Sequence, residues 1–294
     1  MLNKKYALFL GCTIAASQIF VEKALRLIGQ KLGIDFAEPE ELTCCPEPEV
    51  SKTVSYDAWI RVAARNLSLC EKVADKLCVV CSGCYHTFYK ANEALKESPE
   101  LRERVNEKLR SVNKSYNATV DVRNFIELIH DDYGIENTAK DFRRSLKGLR
   151  IAVHPGCRLI SAESLDKPER SLLHKLDNLV KATGASLIEW EGKLMCCGIP
   201  AMYNDPEFAL ENRAKVKVMA LQKAKPDAVV VICPACYDMI EKAAIASLEP
   251  DQLFPLINVV ELIAYALGFS ADEIGFDLHR IPLDPFLAKI VENK

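Results

Sequence analysis

Ten cysteines, arranged as two sets of five, are the residues of this sequence best suited to chemistry. The first set is Cys12, Cys44, Cys45, Cys81 and Cys84, and the second set is Cys157, Cys196, Cys197, Cys233 and Cys236. The successive cysteines are separated by 31, 0, 35 and 2 residues in the first set and by 38, 0, 35 and 2 residues in the second. Because all but the first spacing are identical, the chain contains an internal repeat.

Metal binding explains these cysteines better than disulfide formation does. Dense disulfides belong to small secreted domains that lack a sufficient core, whereas this chain has 294 residues, of which 49% are hydrophobic. Each set also contains two cysteines that are adjacent in the chain, and adjacent cysteines can join each other only with strain. The pattern is therefore typical of a metal-binding protein in a reducing compartment.

The number of thiolates in each set favours a polynuclear iron–sulfur cluster. Structural zinc takes four ligands, so a fifth cysteine would be surplus, and a thioredoxin-like Cys-x-x-Cys motif needs only two cysteines. A cluster with several irons can use all five, although the spacing differs from that of the ferredoxins. The sequence therefore predicts two iron–sulfur sites, with zinc as the remaining alternative.

Short apolar runs and longer helical segments predict an α/β fold around each cysteine set. Apolar and β-branched runs bounded by turn residues are typical of buried strands. The predicted strands are Tyr6–Leu10, Gly33–Ala37, Leu77–Val80 and Phe125–Ile129, then Ile151–Val153, Gly184–Ile188, Ala228–Ile232 and Val259–Ile263, the last strand of each half being expected to run into a helix. The predicted helices are Ser17–Lys31, Tyr56–Lys76 and Tyr85–Lys96, then Leu172–Thr183, Pro206–Lys225 and Tyr237–Ser247.

This alternation predicts two repeats related by a pseudo-two-fold axis, each a mostly parallel sheet flanked by helices. The charged stretch Lys140–Gly148 is the expected boundary, which gives one cysteine-rich domain over residues 1–147 and a second over residues 148–294. Since open α/β sheets gather functional residues at the carboxyl ends of their strands, the cysteines of each set should meet at one rim. Cys84 and Cys236 are expected to begin helices, whose free N–H groups stabilise thiolates.

Composition and charge argue against several other functions. The formal net charge of −3 is not that of a general nucleic-acid-binding protein. No run approaches 18 apolar residues, so we expect no insertion into a membrane. The sequence has no Gly-x-Gly-x-x-Gly motif, which argues against direct use of a nicotinamide. The many unpaired cysteines indicate a cytoplasmic location.

Two residues beside the second set are candidate catalytic residues, on a cleft across which the two cysteine rims would face each other. His154 lies three residues before Cys157 and could donate a proton near neutral pH, or it could be a turn histidine bonded to the backbone. Arg158 could hold an anionic group of a substrate, or it could form a surface ion pair. From the first half, Tyr85 and His86 should line the same cleft.

Cys70 and Cys78 stand outside the repeat. Shifted by 152 residues, which is the separation of the two Cys-x-x-Cys motifs, they fall on Gln222 and Val230. Neither of those residues could replace a thiolate ligand. Since a free cysteine is commonly a small buried hydrophobic residue, we expect Cys70 and Cys78 to contribute to the core rather than to bind metal.

The complete pattern resembles the twin cysteine-rich (CCG) domains of the family formed by the B subunits of heterodisulfide reductases. The matching segments cover nearly the whole chain and are Phe9–Cys12, Cys44–Pro46, Ala63–Leu67, Cys81–Tyr85, His154–Cys157, Cys196–Gly198 and Cys233–Cys236. In that family each five-cysteine motif is understood to hold a non-cubane [4Fe–4S] cluster, and the two clusters face one another and cleave a disulfide. The resemblance therefore implies two [4Fe–4S] clusters on the ten cysteines named above.

The resemblance also implies partners and a substrate. Electrons would arrive one at a time from a small ferredoxin-like iron–sulfur subunit (the C component of the complex), itself supplied by a flavin subunit (the A component). The substrate would be a small-molecule disulfide, with the coenzyme M–coenzyme B heterodisulfide as the leading candidate. Two segments, Thr13–Gln18 and Gly198–Tyr203, depart from the family pattern and leave the identity of the disulfide open. A related sulfur substrate is the alternative.

Two other classes of function remain open on the sequence alone. One is an electron-relay subunit, like the CCG subunits attached to some succinate, glycolate or lactate oxidoreductases. Those chains usually carry additional ferredoxin cysteines, which this sequence lacks. The other is a scaffold or binding module stabilised by zinc, which would be colourless where an iron–sulfur protein is brown.

Overall fold

The computed structural model describes residues 4–161 and 171–292. Within these residues, eight strands form two parallel four-stranded sheets, ordered β2-β1-β3-β4 and β6-β5-β7-β8. The strands are β1 (Lys4–Phe9), β2 (Ile34–Ala37), β3 (Lys76–Val79) and β4 (Asp121–Asn124) in the first half, and β5 (Arg150–His154), β6 (Ser186–Ile188), β7 (Ala228–Val231) and β8 (Leu256–Asn258) in the second. The predicted fold class, two repeats with a parallel sheet in each, is confirmed.

Helices connect the strands and flank both sheets. In the first half they are α1 (Cys12–Ser17), α2 (Ile19–Leu32), α3 (Val50–Val54), α4 (Tyr56–Glu71), α5 (Ser82–Glu97), α6 (Pro99–Leu109), α7 (Phe125–Glu127) and α8 (Ile135–Asp141). In the second half they are α9 (Cys157–Ser161), α10 (Leu172–Ala182), α11 (Pro206–Ala209), α12 (Lys215–Ala224), α13 (Pro234–Ser247), α14 (Val259–Ala266), α15 (Ala271–Ile274) and α16 (Asp284–Glu292). None of the helices in the described ranges is long and apolar enough to cross a membrane.

The central strands are buried on both faces, which is why they read as continuous apolar runs rather than alternating ones. All four residues of β7 are fully buried, and so are the three apolar residues of β3 that follow Lys76. Gly33 ends α2 in the left-handed conformation, with φ at 70°, and its N–H returns to the carbonyl of Gly29. Because the helix ends at Gly33, strand β2 can begin at the next residue, Ile34.

The last predicted strand of each half is placed wrongly, although the expected passage into a helix is observed. Phe125–Ile129 is helical, and Val259–Ile263 lies in α14, whereas the strands β4 and β8 directly precede them. The change from strand to helix occurs at Asn124 and Asn258, whose side chains accept hydrogen bonds from Ile126 N and Val260 N, both at 3.0 Å. Each asparagine completes a capping box with a glutamate three residues on, so the apolar run after it is a buried helix.

Helices of the two halves pack reciprocally against each other. Helix α1 contacts α13, and its counterpart α9 contacts α5. In the same way α2 packs on α14, and α10 packs on α7. Contacts that recur with the two halves exchanged are those expected about a two-fold axis, in agreement with the predicted pseudo-symmetry. Gln18 reinforces this seam, since its Nε2 donates to Pro234 O (2.9 Å) and to Asp238 Oδ1 (2.8 Å).

The segment between α8 and β5 joins the two halves. The backbone N–H groups of Arg143 and Arg144 both donate to the carbonyl of Ala266, at 2.8 and 3.0 Å, and the Arg144 side chain donates to the carbonyls of Tyr265 and Phe269. The connection is thus fastened to the second half before β5 begins. The domain boundary after residue 147 stays a prediction.

Candidate metal centre

Both cysteine sets lie where the strands of their sheet end. Cys12 follows β1, the pair Cys44 and Cys45 follows β2, and Cys81 and Cys84 follow β3. The second set is placed in the same way after β5, β6 and β7. Because all strands of a parallel sheet point in one direction, these chain-distant cysteines reach one rim.

The ten thiols form one continuous series of neighbours that crosses the seam between the halves. Within the ranges that the structure describes, no group of three or more His, Cys, Asp or Glu side chains is arranged to hold a single metal ion. The thiols instead follow one another through pairwise hydrogen bonds. Their order along the series is Cys12, Cys44, Cys45, Cys84, Cys81, Cys233, Cys236, Cys197, Cys196 and Cys157.

The neighbouring thiols drive one another's pKa values apart. The hydrogen bond with Cys44 raises the pKa of Cys12, whereas hydrogen bonds from Cys44 and Cys84 lower the pKa of Cys45 to about 6. In the second half the hydrogen bond from Cys157 lowers the pKa of Cys196 strongly. Adjacent buried thiols cannot all ionise unless a cation compensates their charge. A donor set of five thiolates therefore fits a group that brings several metal cations.

Two glycines leave room beside the sulfurs. A Cβ atom added to Gly11 would lie 3.1 Å from Sγ of Cys84, and one added to Gly156 would lie 3.7 Å from Sγ of Cys236. Both glycines also have positive φ, 83° and 77°, which disfavours other residues. The absence of a side chain at both glycines, like the five-thiol donor set, fits an iron–sulfur cluster in each half.

Helix N-termini support both Cys-x-x-Cys motifs. Helices α5 and α13 begin one residue after Cys81 and Cys233, so these cysteines occupy the N-cap positions. Cys84 and Cys236 were expected to begin the helices and instead lie in their first turns. The backbone N–H groups of Cys236 and Ala235 contribute to lowering the pKa of Cys233, after its thiol contacts, as expected of free donors at a helix start.

The candidate catalytic residue His154 is the last residue of β5 and is fully buried. Its Nδ1 lies 3.2 Å from the carbonyl oxygen of Lys193, and since a carbonyl only accepts, Nδ1 carries the ring proton. Its buried Nε2 has no hydrogen-bond partner among the described residues. Burial, and then the charge of Lys217, lowers the pKa of His154 to about 3. The ring is therefore neutral, and an imidazolium donor with an ordinary pKa does not fit this environment.

The other residues predicted beside the clusters lie at the seam. Arg158 forms an ion pair with Glu49 of the first half, which was one of its two predicted roles. His86 is buried, and burial followed by the charge of Arg158 lowers its pKa to about 4. Its Nδ1 also lacks a hydrogen-bond partner within the described part of the chain. Tyr85 is buried and stacks on Tyr89 with 5.5 Å between ring centroids.

The first cysteine set is the more accessible of the two. Cys12 and Cys44 are exposed, whereas Cys157 and Cys196, their counterparts, are half-buried. A cavity of about 500 Å³ borders Cys44 and is lined by residues of both halves, including Val50, Val62 and Tyr203. A second cavity, of about 410 Å³, also reaches Cys12 and Cys44. A small molecule could approach the first set through these openings.

Two further residues near the metal centre were missed in the sequence. Tyr203, from the second half, is 65% exposed and lies in the cavity at Cys44. Lys217 is fully buried beside the second set, with its ammonium group 4.9 Å from the ring centroid of Trp190. The repeat itself carried a signal for the lysine, because a shift of 152 residues relates Lys217 to Arg65 within a matching segment.

Comparison with known proteins agrees with this arrangement. The family model described as "CCG: Cysteine-rich domain" matches residues 6–89 and 151–241, which contain the two cysteine sets. The chain is 33% identical to the B subunit of the ferredoxin/F420H2-dependent CoB-CoM heterodisulfide reductase of Methanosarcina acetivorans, over 98% of this chain and 97% of that protein. The chain belongs to the family of heterodisulfide reductase B subunits. Its predicted class, an iron–sulfur oxidoreductase subunit, follows from that membership.

One further relative and one solved structure are also similar to this chain. The chain is 26% identical to the 8-methylmenaquinol:fumarate reductase membrane anchor subunit of Wolinella succinogenes, over 94% of this chain and 96% of that protein. A solved structure of a hypothetical protein from Helicobacter pylori superposes with a TM-score of 0.76 at 15% identity. It matches 95% of this chain, which spans about half (52%) of that protein, and at this identity it supports the fold alone.

Cys70 and Cys78 take the positions expected of core residues. Both are fully buried and belong to the hydrophobic core. Burial raises the pKa of Cys70 to about 12 and raises that of Cys78 further. Neither thiol takes part in the series that links the ten cysteines. That they bind no metal stays a prediction.

Proposed function

We propose that this chain is the disulfide-reducing subunit of a heterodisulfide reductase complex, with a non-cubane [4Fe–4S] cluster on each set of five cysteines. Its substrate would be the coenzyme M–coenzyme B heterodisulfide. Its electrons would come from a ferredoxin-like iron–sulfur subunit, which a flavin subunit of the same complex supplies. The protein would act in the cytoplasm.

The contact between Cys81 and Cys233 is the observation that carries this proposal. Their thiols hydrogen-bond across the seam, so the last motif of one cysteine set touches the last motif of the other. A pure relay needs only a path for electrons, whereas a disulfide presents two linked sulfurs that must be separated. Two juxtaposed sets suit a substrate whose two halves leave as separate thiols.

Some residues of the chain would hold the clusters, and others would control the surroundings of the site. Iron–sulfur clusters supply one-electron reduction and iron atoms to which sulfur can bind. Reduction of one disulfide to two thiols consumes two electrons and two protons. The reciprocal contacts of α1 with α13 and of α9 with α5 support a site with one cysteine set on either side of the seam.

Two neutral histidines offer proton-handling atoms at this seam. Within residues 4–161 and 171–292, His154 presents an Nε2 and His86 an Nδ1 without a hydrogen-bond partner, and both atoms are buried. With Nδ1 of His154 holding its proton toward Lys193, Nε2 can only accept a hydrogen bond. We infer that it orients a thiol S–H by accepting its hydrogen bond, while solvent at the exposed first set supplies the protons.

Substrate would approach through the cavity beside Cys44. Its wall combines the apolar side chains of Val50 and Val62 with Tyr203 from the other half. Exposed apolar side chains gathered at one opening are typical of a binding surface. The segment that carries Tyr203 is one of the two that depart from the family pattern, so the exact disulfide depends on it.

Anaerobic purification with iron and sulfide analysis tests the proposal. We expect about eight irons per chain if each set holds a four-iron cluster. Cys84→Ala and Cys236→Ala should each lose about half of the iron, and Cys70→Ala should lose none. Addition of the heterodisulfide to the reduced protein should change its electron paramagnetic resonance spectrum. Four irons per chain in the wild type, or zinc instead of iron, would contradict the two-cluster proposal.

An electron-relay protein is the second candidate function. The fumarate reductase membrane anchor of Wolinella succinogenes aligns with almost the full length of this chain, which favours a relay in another oxidoreductase. The two functions differ in their response to substrate. A relay would bind about eight irons but show no spectral change with any disulfide, and it would not release thiols when reduced by an artificial donor.

A further inference from the structure

Lys217 is a buried cation without a carboxylate partner. Its side chain is fully buried in α12. Its ammonium group donates to the carbonyl oxygen of Gly192 and lies over the ring of Trp190, both of which are neutral. Among the described residues no carboxylate forms an ion pair with it. A buried ammonium in such surroundings is unfavourable unless other negative charge is close.

The second cysteine set lies near Lys217, whose ammonium group contacts Gly192 and Trp190 in the segment that leads from β6 to Cys196. Burial lowers the pKa of Lys217 to about 8, while the thiolates of Cys236, Cys197, Cys196 and Cys157 raise it. Trp190, on whose ring the ammonium group lies, donates its Nε1 to the carbonyl of Val153 at 3.0 Å and thereby fixes that wall of the site. These contacts hold the lysine against the segment that precedes Cys196 and Cys197.

The first half contains the matched residue in a different electrostatic state. Arg65 precedes Lys217 by the same 152 residues that separate Cys45 from Cys197. Arg65 also donates to a backbone carbonyl ahead of the vicinal cysteines, that of Glu41, at 2.6 Å. However, its guanidinium lies 3.5 Å from the Glu41 carboxylate and is partly exposed, so its charge is neutralised and screened. Of the two matched residues, Arg65 is neutralised by a carboxylate. Lys217, beside the second set, is buried and has no such ion pair among the described residues.

We propose that Lys217 is the counter-cation of the second cysteine set and makes the cluster held there easier to reduce than its twin. The inference rests on the proposed function, since it requires a cluster on each set. Adding an electron adds negative charge, which a nearby buried cation stabilises more than an exposed, paired one does. Lys217 touches no substrate in this account and acts through the cysteines as a positioning residue. Electrons entering the protein would then settle first on the buried second site.

A redox titration followed by electron paramagnetic resonance tests this on the anaerobically purified full chain. Lys217→Met keeps the aliphatic stem and removes the charge. We expect one of the two midpoint potentials to fall, by roughly a tenfold change in the reduction equilibrium, which is about 59 mV for one electron. The other potential should stay unchanged. Lys217→Arg should restore the wild-type value, and the matched control Arg65→Met should move neither potential.

Each outcome bears on a different claim. Two unchanged potentials in Lys217→Met at full iron content would overturn the counter-cation and leave the two-cluster proposal standing. A wild-type chain without iron would overturn the proposed function itself. If Lys217→Met assembles only one cluster while Lys217→Arg assembles two, the positive charge is needed for the cluster and the inference holds. Loss of a cluster in both variants would contradict it, because charge would then not be what matters.

Discussion

The two halves share a fold and a cysteine frame, yet their surroundings differ. The first set has two exposed cysteines and opens into cavities at Cys12 and Cys44. The second set is more deeply buried and has the neutral His154 and the cationic Lys217 beside it. The duplicated element is thus the ligand frame, while the residues around it have diverged. This difference suggests that the first site meets the substrate and the second site stores charge.

The largest expected effect comes from filling the space beside a sulfur. Gly11→Ala should lose about half of the iron, since its Cβ would lie 3.1 Å from Sγ of Cys84. Gly156→Ala is the matched control. It incurs the same backbone strain, about 1–2 kcal/mol for the left-handed conformation. Its Cβ, however, would meet Sγ of Cys236 only at 3.7 Å.

Iron analysis and denaturant unfolding of both glycine variants measure this difference. Equal iron loss in the two would mean that backbone strain alone, and not the room beside the sulfur, decides cluster assembly. The expectation that the closer approach of Gly11 to a sulfur distinguishes the first site from the second would then be wrong.

A smaller effect is expected at His154, whose place in the first half is taken by Phe9. His154→Ala should slow disulfide reduction at least about tenfold while both clusters remain, because the hydrogen-bond acceptor that orients a thiol S–H is lost. Since burial lowers the pKa of His154 to about 3, the pH profile near neutrality should keep its shape. The exposed His174 provides the control variant His174→Ala. Unchanged turnover of His154→Ala at full iron content would remove this residue from the mechanism.

The sequence predicted the cysteine positions and the sheets that carry them better than it predicted the structure around them. The internal repeat, together with the apolar runs and helical patterns around the cysteines, predicted two similar parallel sheets with a cysteine rim on each. They could not separate the strand β4 from the helix after it, because a short apolar run such as Phe125–Ile129 fits a buried helix and a buried strand equally well. The asparagine and glutamate of the capping box were the overlooked signal.

Charge and protonation near the clusters depend on burial, which the sequence does not give directly. A lysine within a helical pattern normally marks an exposed face, so the pattern around Lys217 does not indicate that its side chain is fully buried. In the same way, an unperturbed histidine titrates near neutral pH, but His154 is buried and contacts Trp190 and Lys193. Both surprises lie in the second half, where the surroundings of the frame have changed most.

A still smaller effect, this time on substrate affinity, is expected at the open first site. Tyr203→Ala should raise KM several-fold, roughly the loss of 1 kcal/mol of binding, with kcat nearly unchanged, because the tyrosine lines the cavity beside Cys44 and belongs to neither cysteine set. Leu194→Ala removes another exposed apolar side chain of the second half that does not line this cavity and is the control. Steady-state kinetics with an artificial donor measure both constants. An unaltered KM would show that substrate does not enter beside Cys44.

The smallest effect is expected at Cys78, a position at which the two halves differ and which we predict not to bind metal. Its counterpart at the same position of β7 is Val230, and both side chains are fully buried. Cys78→Val should therefore fit the space, change the free energy of unfolding by less than about 1.5 kcal/mol, and leave the iron content intact. The thiol of Cys78 is buried in the core and hydrogen-bonds to none of the ten cysteines, so no ligand is removed. Iron loss in this variant would mean that the first set has six ligands rather than five, and the equivalence of the two cysteine frames, on which the whole comparison of the halves depends, would have to be abandoned.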